Sequence, residues 1–253
     1  MMYKNACLAA LFSLAVSPLF AQAKPEDTEF YTPVPPVVTP GKTSSDPPSD
    51  AIVLFDGKNL DEWVSSKDTS APAQWPVADG IFTVNKAAGD IQTRRAFTNF
   101  QLHIEWRIPS DITGSGQARG NSGIFLGGFG SGKYELQVLD NYNNTTYTNG
   151  QAGSIYKQSP PLVNVCKKPG EWQSYDVVWT APVFHEDGTL ESPARITVFQ
   201  NGVLVQNNFA LTGQTLYIGK PFYQKHGPLP IELQAHGDKS EPISYRDIWV
   251  RTL

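Results

Sequence analysis

Beyond residue 51 apolar and polar positions alternate with period two. In "FQLHIEWRIP" Phe100, Leu102, Ile104, Trp106 and Ile108 alternate with Gln101, His103, Glu105 and Arg107, the signature of a half-buried strand. "KYELQVLD" sets Tyr134, Leu136 and Val138 against Glu135 and Gln137, and "PIELQAHG" repeats the pattern with Ile231, Leu233 and Ala235 against Glu232, Gln234 and His236. Further short runs ("AIVLFDG", "GIFTVNK", "NSGIFLGG", "WQSYDVVWTAP", "SYRDIWVRTL") are separated by Gly, Pro, Asn and Asp. In "VFQNGVLV" Asn201-Gly202 supplies the two-residue turn that suits the twist of a hairpin. No stretch holds a helical period of 3.6. Many short strands in one domain predict an all-β fold, a two-sheet jelly-roll sandwich.

The first residues read differently. "MMYKNACLAALFSLAVSPLFAQA" has an early lysine, an apolar stretch and a small-x-small ending, which predicts a secretory signal over residues 1–23. That places the mature chain in the periplasm or outside the cell. Residues 24–50, rich in Pro, Ser and Thr, read as an extended linker, and 51–253 as the folded domain. Loss of the leader removes Cys7, so Cys166 has no partner for an internal disulfide. It also removes Lys4 and no acid, taking the formal charge from −4 to −5. With no basic block, nucleic acid is not an expected partner, and no later apolar run is long enough to insert in a membrane.

The polar faces of the strands carry the candidate chemistry. In "ARGNSGIFLGG" alternation puts Ser122, Ile124 and Leu126 in the core and Arg119, Asn121, Gly123 and Phe125 on the other face. A strand glycine marks a place where another group approaches closely, and a turn at Gly120 is the alternative. If the two Glu-Leu-Gln strands are neighbours, Arg119, Asn121, Glu135, Gln137, Glu232 and Gln234 share one groove. Carboxylates accept and amides both donate and accept, which matches sugar hydroxyls. Solvated strand faces usually carry Lys, Thr and Ser; between their turns these two strands carry neither lysine nor serine. His236, at the end of the second strand, has a side chain suited to proton transfer, with a capping role as the alternative. His103, His185 and His226 read as surface residues, with the His226 loop able to reach the groove rim. Asp140 opens a long polar loop holding Tyr142 and Tyr147, a lid or stacking element, and Lys157 follows it.

"LFDGKNLDEW", "GNSGIFLGG", "YELQVLDN", "GEWQSYDVVW", "PARITVFQNGVLVQNN" and "PIELQAHG" followed by "YRDIWVR" resemble, in order, the 3-keto-disaccharide hydrolase family. The resemblance spans residues 52–253 and implies a concanavalin A-like jelly roll. It implies cleavage of 3-keto-glycosides, after a separate sugar 3-dehydrogenase has made the ketone. A C3 ketone acidifies the C2 proton, so a base can remove it and expel the C1 substituent, with or without later addition of water. His236, Glu135 and Asp140 are the expected catalytic residues. Arg119, Asn121, Gln137, Lys157, Glu232 and Gln234 are expected to bind the substrate. A divalent metal held by carboxylates and His236 is an open alternative for stabilising the enolate. A carbohydrate-binding module and a conventional glycoside hydrolase are the competing functions. The laminarinase-type strand Glu-x-Asp-x-x-Glu here reads Glu135-Leu-Gln137-Val-Leu-Asp140, which departs from the two-carboxylate pattern of direct displacement.

Overall fold

The computed structural model describes residues 23–129 and 132–253, so nearly all of the leader read at 1–23 lies outside the described residues. The chain divides into two units, Met1–Val37 and Val38–Leu253. In the first, the described residues form one short 3-10 turn, Pro25–Thr28, and none of them is buried.

The second unit is a sandwich of antiparallel sheets. Strands are numbered along the chain: β1 (Ile52–Phe55), β2 (Trp63–Ser65), β3 (Val77–Ala78), β4 (Ile81–Thr83), β5 (Ile91–Phe97), β6 (Phe100–Arg107), β7 (Ser122–Phe129) and β8 (Gly132–Val138). Then follow β9 (Trp172–Thr180), β10 (Val183–Phe184), β11 (Leu190–Ser192), β12 (Arg195–Gln200), β13 (Val203–Ala210), β14 (Leu229–Leu233) and β15 (Ser244–Thr252). The larger sheet runs β13-β12-β9-β6-β15-β4-β3, with β1 also on β15. The smaller runs β2-β5-β14-β7-β8. The β12–β13 hairpin closes at Asn201-Gly202, both at positive φ (53° and 79°), the backbone that a type I′ turn requires.

The apolar sets of the alternating strands fill the space between the sheets. Tyr134, Leu136 and Val138 of β8, Ile231 and Leu233 of β14, and Leu102, Ile104 and Trp106 of β6 are all buried. Each such side chain contributes about 2 kcal/mol by leaving water. A register slip of one residue would turn the whole apolar set of a strand outward, so the pairing is strongly specified.

Two expectations change here. Residues 38–50, read as linker, lie along the outer face of the larger sheet. Ser45 Oγ donates to Glu105 at 2.8 Å, Trp249 Nε1 donates to the Ser45 carbonyl at 2.9 Å, and Arg251 reaches Asp50. His103, expected at the surface, is buried beneath this cover, stacked on Trp249 and 2.7 Å from Asp176. Burial disfavours its charge, but Asp176 and Glu105 outweigh that and raise its pKa to about 9. His103 and Glu105 are buried on the polar face of β6 because the chain folds back over them. Alternation alone cannot report such a cover.

Candidate active site

The outer face of the smaller sheet carries a cleft of about 630 Å³. The two Glu-Leu-Gln strands are not neighbours, since β7 runs between them. Register nevertheless aligns their polar residues in two rows. Glu232 pairs with Phe125, which pairs with Glu135. Gly123 pairs with Gln137 and accepts the Gln234 backbone N–H at 3.0 Å. Gly123 holds the centre open: a Cβ there would stand 2.8 Å from Glu135 Oε1.

The amides are arranged for a ligand. Gln137 Nε2 donates to Asn121 Oδ1 at 3.0 Å, and Asn121 Nδ2 donates to the Gln117 carbonyl at 2.8 Å. Among the described residues, Gln137 Oε1 and Gln234 Oε1 have no hydrogen-bond partner although both are buried. A buried acceptor left unpaired costs roughly 1–3 kcal/mol, which a hydroxyl donor entering the cleft would offset.

His236 lines the cleft just beyond the end of β14, its side chain about a third exposed (34%). Its Nδ1 lies 2.7 Å from Asp238 Oδ2. With the proton on Nδ1 the ring donates to that carboxylate and leaves Nε2 to accept; the Asp238 N–H also approaches Nδ1, at 3.3 Å. Asp238 is itself fixed by the Ser240 N–H at 2.7 Å, the Ser240 hydroxyl and Lys86 at 3.2 Å. Burial works against its charge, yet these bonds and the one to His236 hold its carboxyl below the usual range.

Glu135 has the opposite environment. Burial raises its pKa to about 8, helped by Asp90 and only partly opposed by Lys133 and Lys157, so it is protonated at neutral pH. Lys133 lies between acids: its ammonium is bonded to Glu232, is 3.9 Å from Asp90, and sits 4.5 Å from the centre of the Phe125 ring. Burial also raises Glu232, with Lys133 opposing and Asp90 reinforcing the shift. The site therefore joins a carboxylate-bonded histidine, a neutral carboxylic acid and a fixed cation.

Of the residues expected at the site, His236, Glu135, Asn121, Gln137 and Gln234 line the cleft. Glu232 stands behind Lys133 rather than in the lining. Lys157 is exposed at the rim, donating to the Tyr217 carbonyl, with its ammonium 4.3 Å from the centre of that ring. Asp140 and Arg119 are not brought to the cleft. Asp140 is fully buried, accepting from Arg119 Nε at 2.6 Å and from the Tyr142 N–H at 2.9 Å. This pair ties the polar loop to the segment that leads into β7. His226 meets Tyr134 at 3.0 Å, on the core side of β8 and away from the cleft.

The family model of the 3-keto-alpha-glucoside-1,2-lyase-like domain matches residues 50–251. The chain belongs to this family. A 3-keto-disaccharide hydrolase of Bacteroides thetaiotaomicron is 28% identical over 165 residues, 53% of this chain. The aligned part is 54% of that relative, so the chain spans about half its length. A solved candidate glycosyl hydrolase from Parabacteroides distasonis is 56% identical with a TM-score of 0.86, covering 92% of this chain and 98% of its own. Another solved chain from that organism, 19% identical, shares the fold with a TM-score of 0.59 over 80% of this chain and 94% of its own. These comparisons agree with the jelly-roll sandwich that the family resemblance implies.

Sequence reading missed Lys133, Asp238, Asp90 and Gln117. β8 begins at Gly132, so Lys133 lies inside the strand and shares the face of Glu135 and Gln137. Treating it as a turn residue hid it. Asp238 follows His236 at i+2, a spacing that lets a short acid reach its own neighbour's ring. Asp90 and Gln117 carry no local signal, because they arrive from the start of β5 and from a 3-10 turn (Gly116–Ala118). Among the described residues no three of His, Cys, Asp or Glu group as a metal-binding set. The carboxylate nearest His236 is Asp238, while Glu232 is bonded to Lys133 and Glu135 lies across β7.

The folded pKa of Glu135, about 8, lies above the ordinary 4.5, so the folded state resists ionisation. Below the unfolded value both states are protonated and nothing is lost. Between pH 4.5 and 8 the unfolded chain binds fewer protons and stability falls. Glu135→Gln should therefore melt above the wild type at pH 9 and show a smaller gain at pH 4, read by thermal unfolding at both values. An equal gain at both pH values would mean that Glu135 ionises normally.

Proposed function

We infer that the cleft cleaves the glycosidic bond of 3-keto-glycosides by removing the C2 proton and eliminating the C1 substituent. The observation that supports this most is the pairing, in one cleft, of His236 oriented by Asp238 with a protonated Glu135. Family membership supports the substrate class.

In this reading Nε2 of His236 takes the proton from C2, and the electron pair moves onto the C3 oxygen. The Lys133 ammonium, which lines the cleft, supplies positive charge for that developing enolate. As the enolate collapses, the C1–O bond breaks and Glu135 gives its proton to the departing oxygen, leaving a C1–C2 enone. Addition of water reverses the roles: Glu135 takes a proton from water as it bonds to C1, and His236 returns one to C2. The net result is hydrolysis. The Oε1 atoms of Gln137 and Gln234 accept from sugar hydroxyls. A conventional displacement would need a second free carboxylate, and here the second acid is bound to Lys133.

The leader read in residues 1–23 supports an activity in the periplasm or outside the cell. The substrate's ketone requires a separate sugar 3-dehydrogenase upstream. Incubation of the purified protein with a panel of 3-keto-glucosides tests the function. Release of the C1 substituent is expected, and an unchanged panel would sink the proposal.

A further inference from the structure

The cleft is chemically lopsided. Beyond β8 the sheet continues through two isolated bridges, Leu136 with Ile155 and Lys133 with Thr215. These carry Tyr156 and Tyr217 to the cleft, joined by Tyr147 from the polar loop. His236 lies on the β14 side. From β14 through β7 and β8 to that outer line is three strand spacings, about 14 Å. One pyranose ring is little wider than a single spacing. A sugar whose C2 meets His236 therefore leaves the tyrosine wall to the group attached at C1.

That wall has few hydrogen-bonding groups left over. The Tyr147 and Tyr156 hydroxyls bond to each other at 2.6 Å. Thr215 Oγ1 donates to the Tyr156 carbonyl at 3.1 Å and accepts from Gln158 at 2.7 Å. The Lys157 ammonium donates to the Tyr217 carbonyl and braces its ring. Meanwhile Tyr217 is 75% exposed and the neighbouring Ile218 is 82% exposed. The contrast with the amide floor, where two acceptors stand unpaired, is sharp. A second sugar brings many hydroxyls that need partners; a flat apolar ring brings area and a π face.

We propose that the Tyr147–Tyr156–Tyr217 wall is a leaving-group subsite that takes a flat aromatic aglycone in preference to a second sugar. The assignment rests on the reading of the cleft as a 3-keto-glycoside site for the direction of the substrate. Its test does not need turnover. Calorimetry on the purified protein compares unoxidised phenyl glucoside, methyl glucoside and a glucosyl-glucose disaccharide, each in both anomeric series. In one series the phenyl glucoside should bind at least about tenfold tighter than the methyl glucoside, the scale of a stacked aromatic contact with its buried area. The disaccharide should bind no tighter than the methyl glucoside. Tyr217→Ala, at an exposed position that does not endanger the fold, should remove most of the phenyl advantage and leave the methyl glucoside unchanged. Tighter binding of the disaccharide, no phenyl advantage in either series, or an advantage that survives Tyr217→Ala would each overturn the proposal. Failure of 3-keto-glucoside turnover is a separate result, since these ligands carry no ketone.

Discussion

His236→Ala is expected to lower turnover of a 3-keto-glucoside by about a hundredfold or more, the range that a positioned general base supplies. The residue follows the last pair of β14 and is partly exposed, so its loss removes no core contact. The melting temperature should stay within a few degrees of the wild type while kcat falls. Asp238→Asn sharpens the reading. An amide can still occupy the space, but it no longer fixes the Nδ1 proton or stabilises the imidazolium, so kcat drops while substrate affinity holds. Near-normal turnover in His236→Ala would remove the residue from the mechanism.

Asp140→Ala is expected to act on stability instead, by roughly 1–3 kcal/mol, because the Tyr142 N–H loses its acceptor and the partly exposed Arg119 its counter-ion. The carboxylate is fully buried and serves both the Arg119 guanidinium and the Tyr142 N–H. Truncation leaves the cation without its counter-ion and the amide without an acceptor. The urea midpoint should move down with an unchanged slope, and kcat of the folded protein should be close to that of the wild type. A hundredfold loss of kcat at unchanged stability would return Asp140 to the chemistry.

These contrasting roles show how far the chain is readable without coordinates. Period two assigned Leu136 and Leu233 to the core and Glu135, Gln137 and Gln234 to the opposite face, and the sheets bear out each assignment. The hairpin at Asn201-Gly202 was legible for the same local reason. Alternation says which face a residue takes but not which strand lies beside it. Hence β7 between the two Glu-Leu-Gln strands was not foreseen, nor that Gly123 leaves the room Glu135 occupies. Asp140 looked like the last acid of a catalytic strand, and only the fold shows it buried against Arg119 and outside the cleft lining. His103 was misplaced because nothing in β6 announces that residues 38–50 cover it. In each case the missing information is a long-range contact between polar groups, which leaves no periodic trace.

Removal of the C2 proton of a 3-keto-glycoside by His236 can be followed by turnover of one 3-keto-glucoside in D₂O with proton NMR. The C2 proton of the substrate should be missing from the product, either lost in the enone or replaced by deuterium in the rehydrated sugar. A parallel sample of 3-ketoglucose held in the same buffer without protein measures spontaneous exchange. A released sugar that retains its C2 proton while that control is also unexchanged would contradict elimination and point to direct displacement at C1.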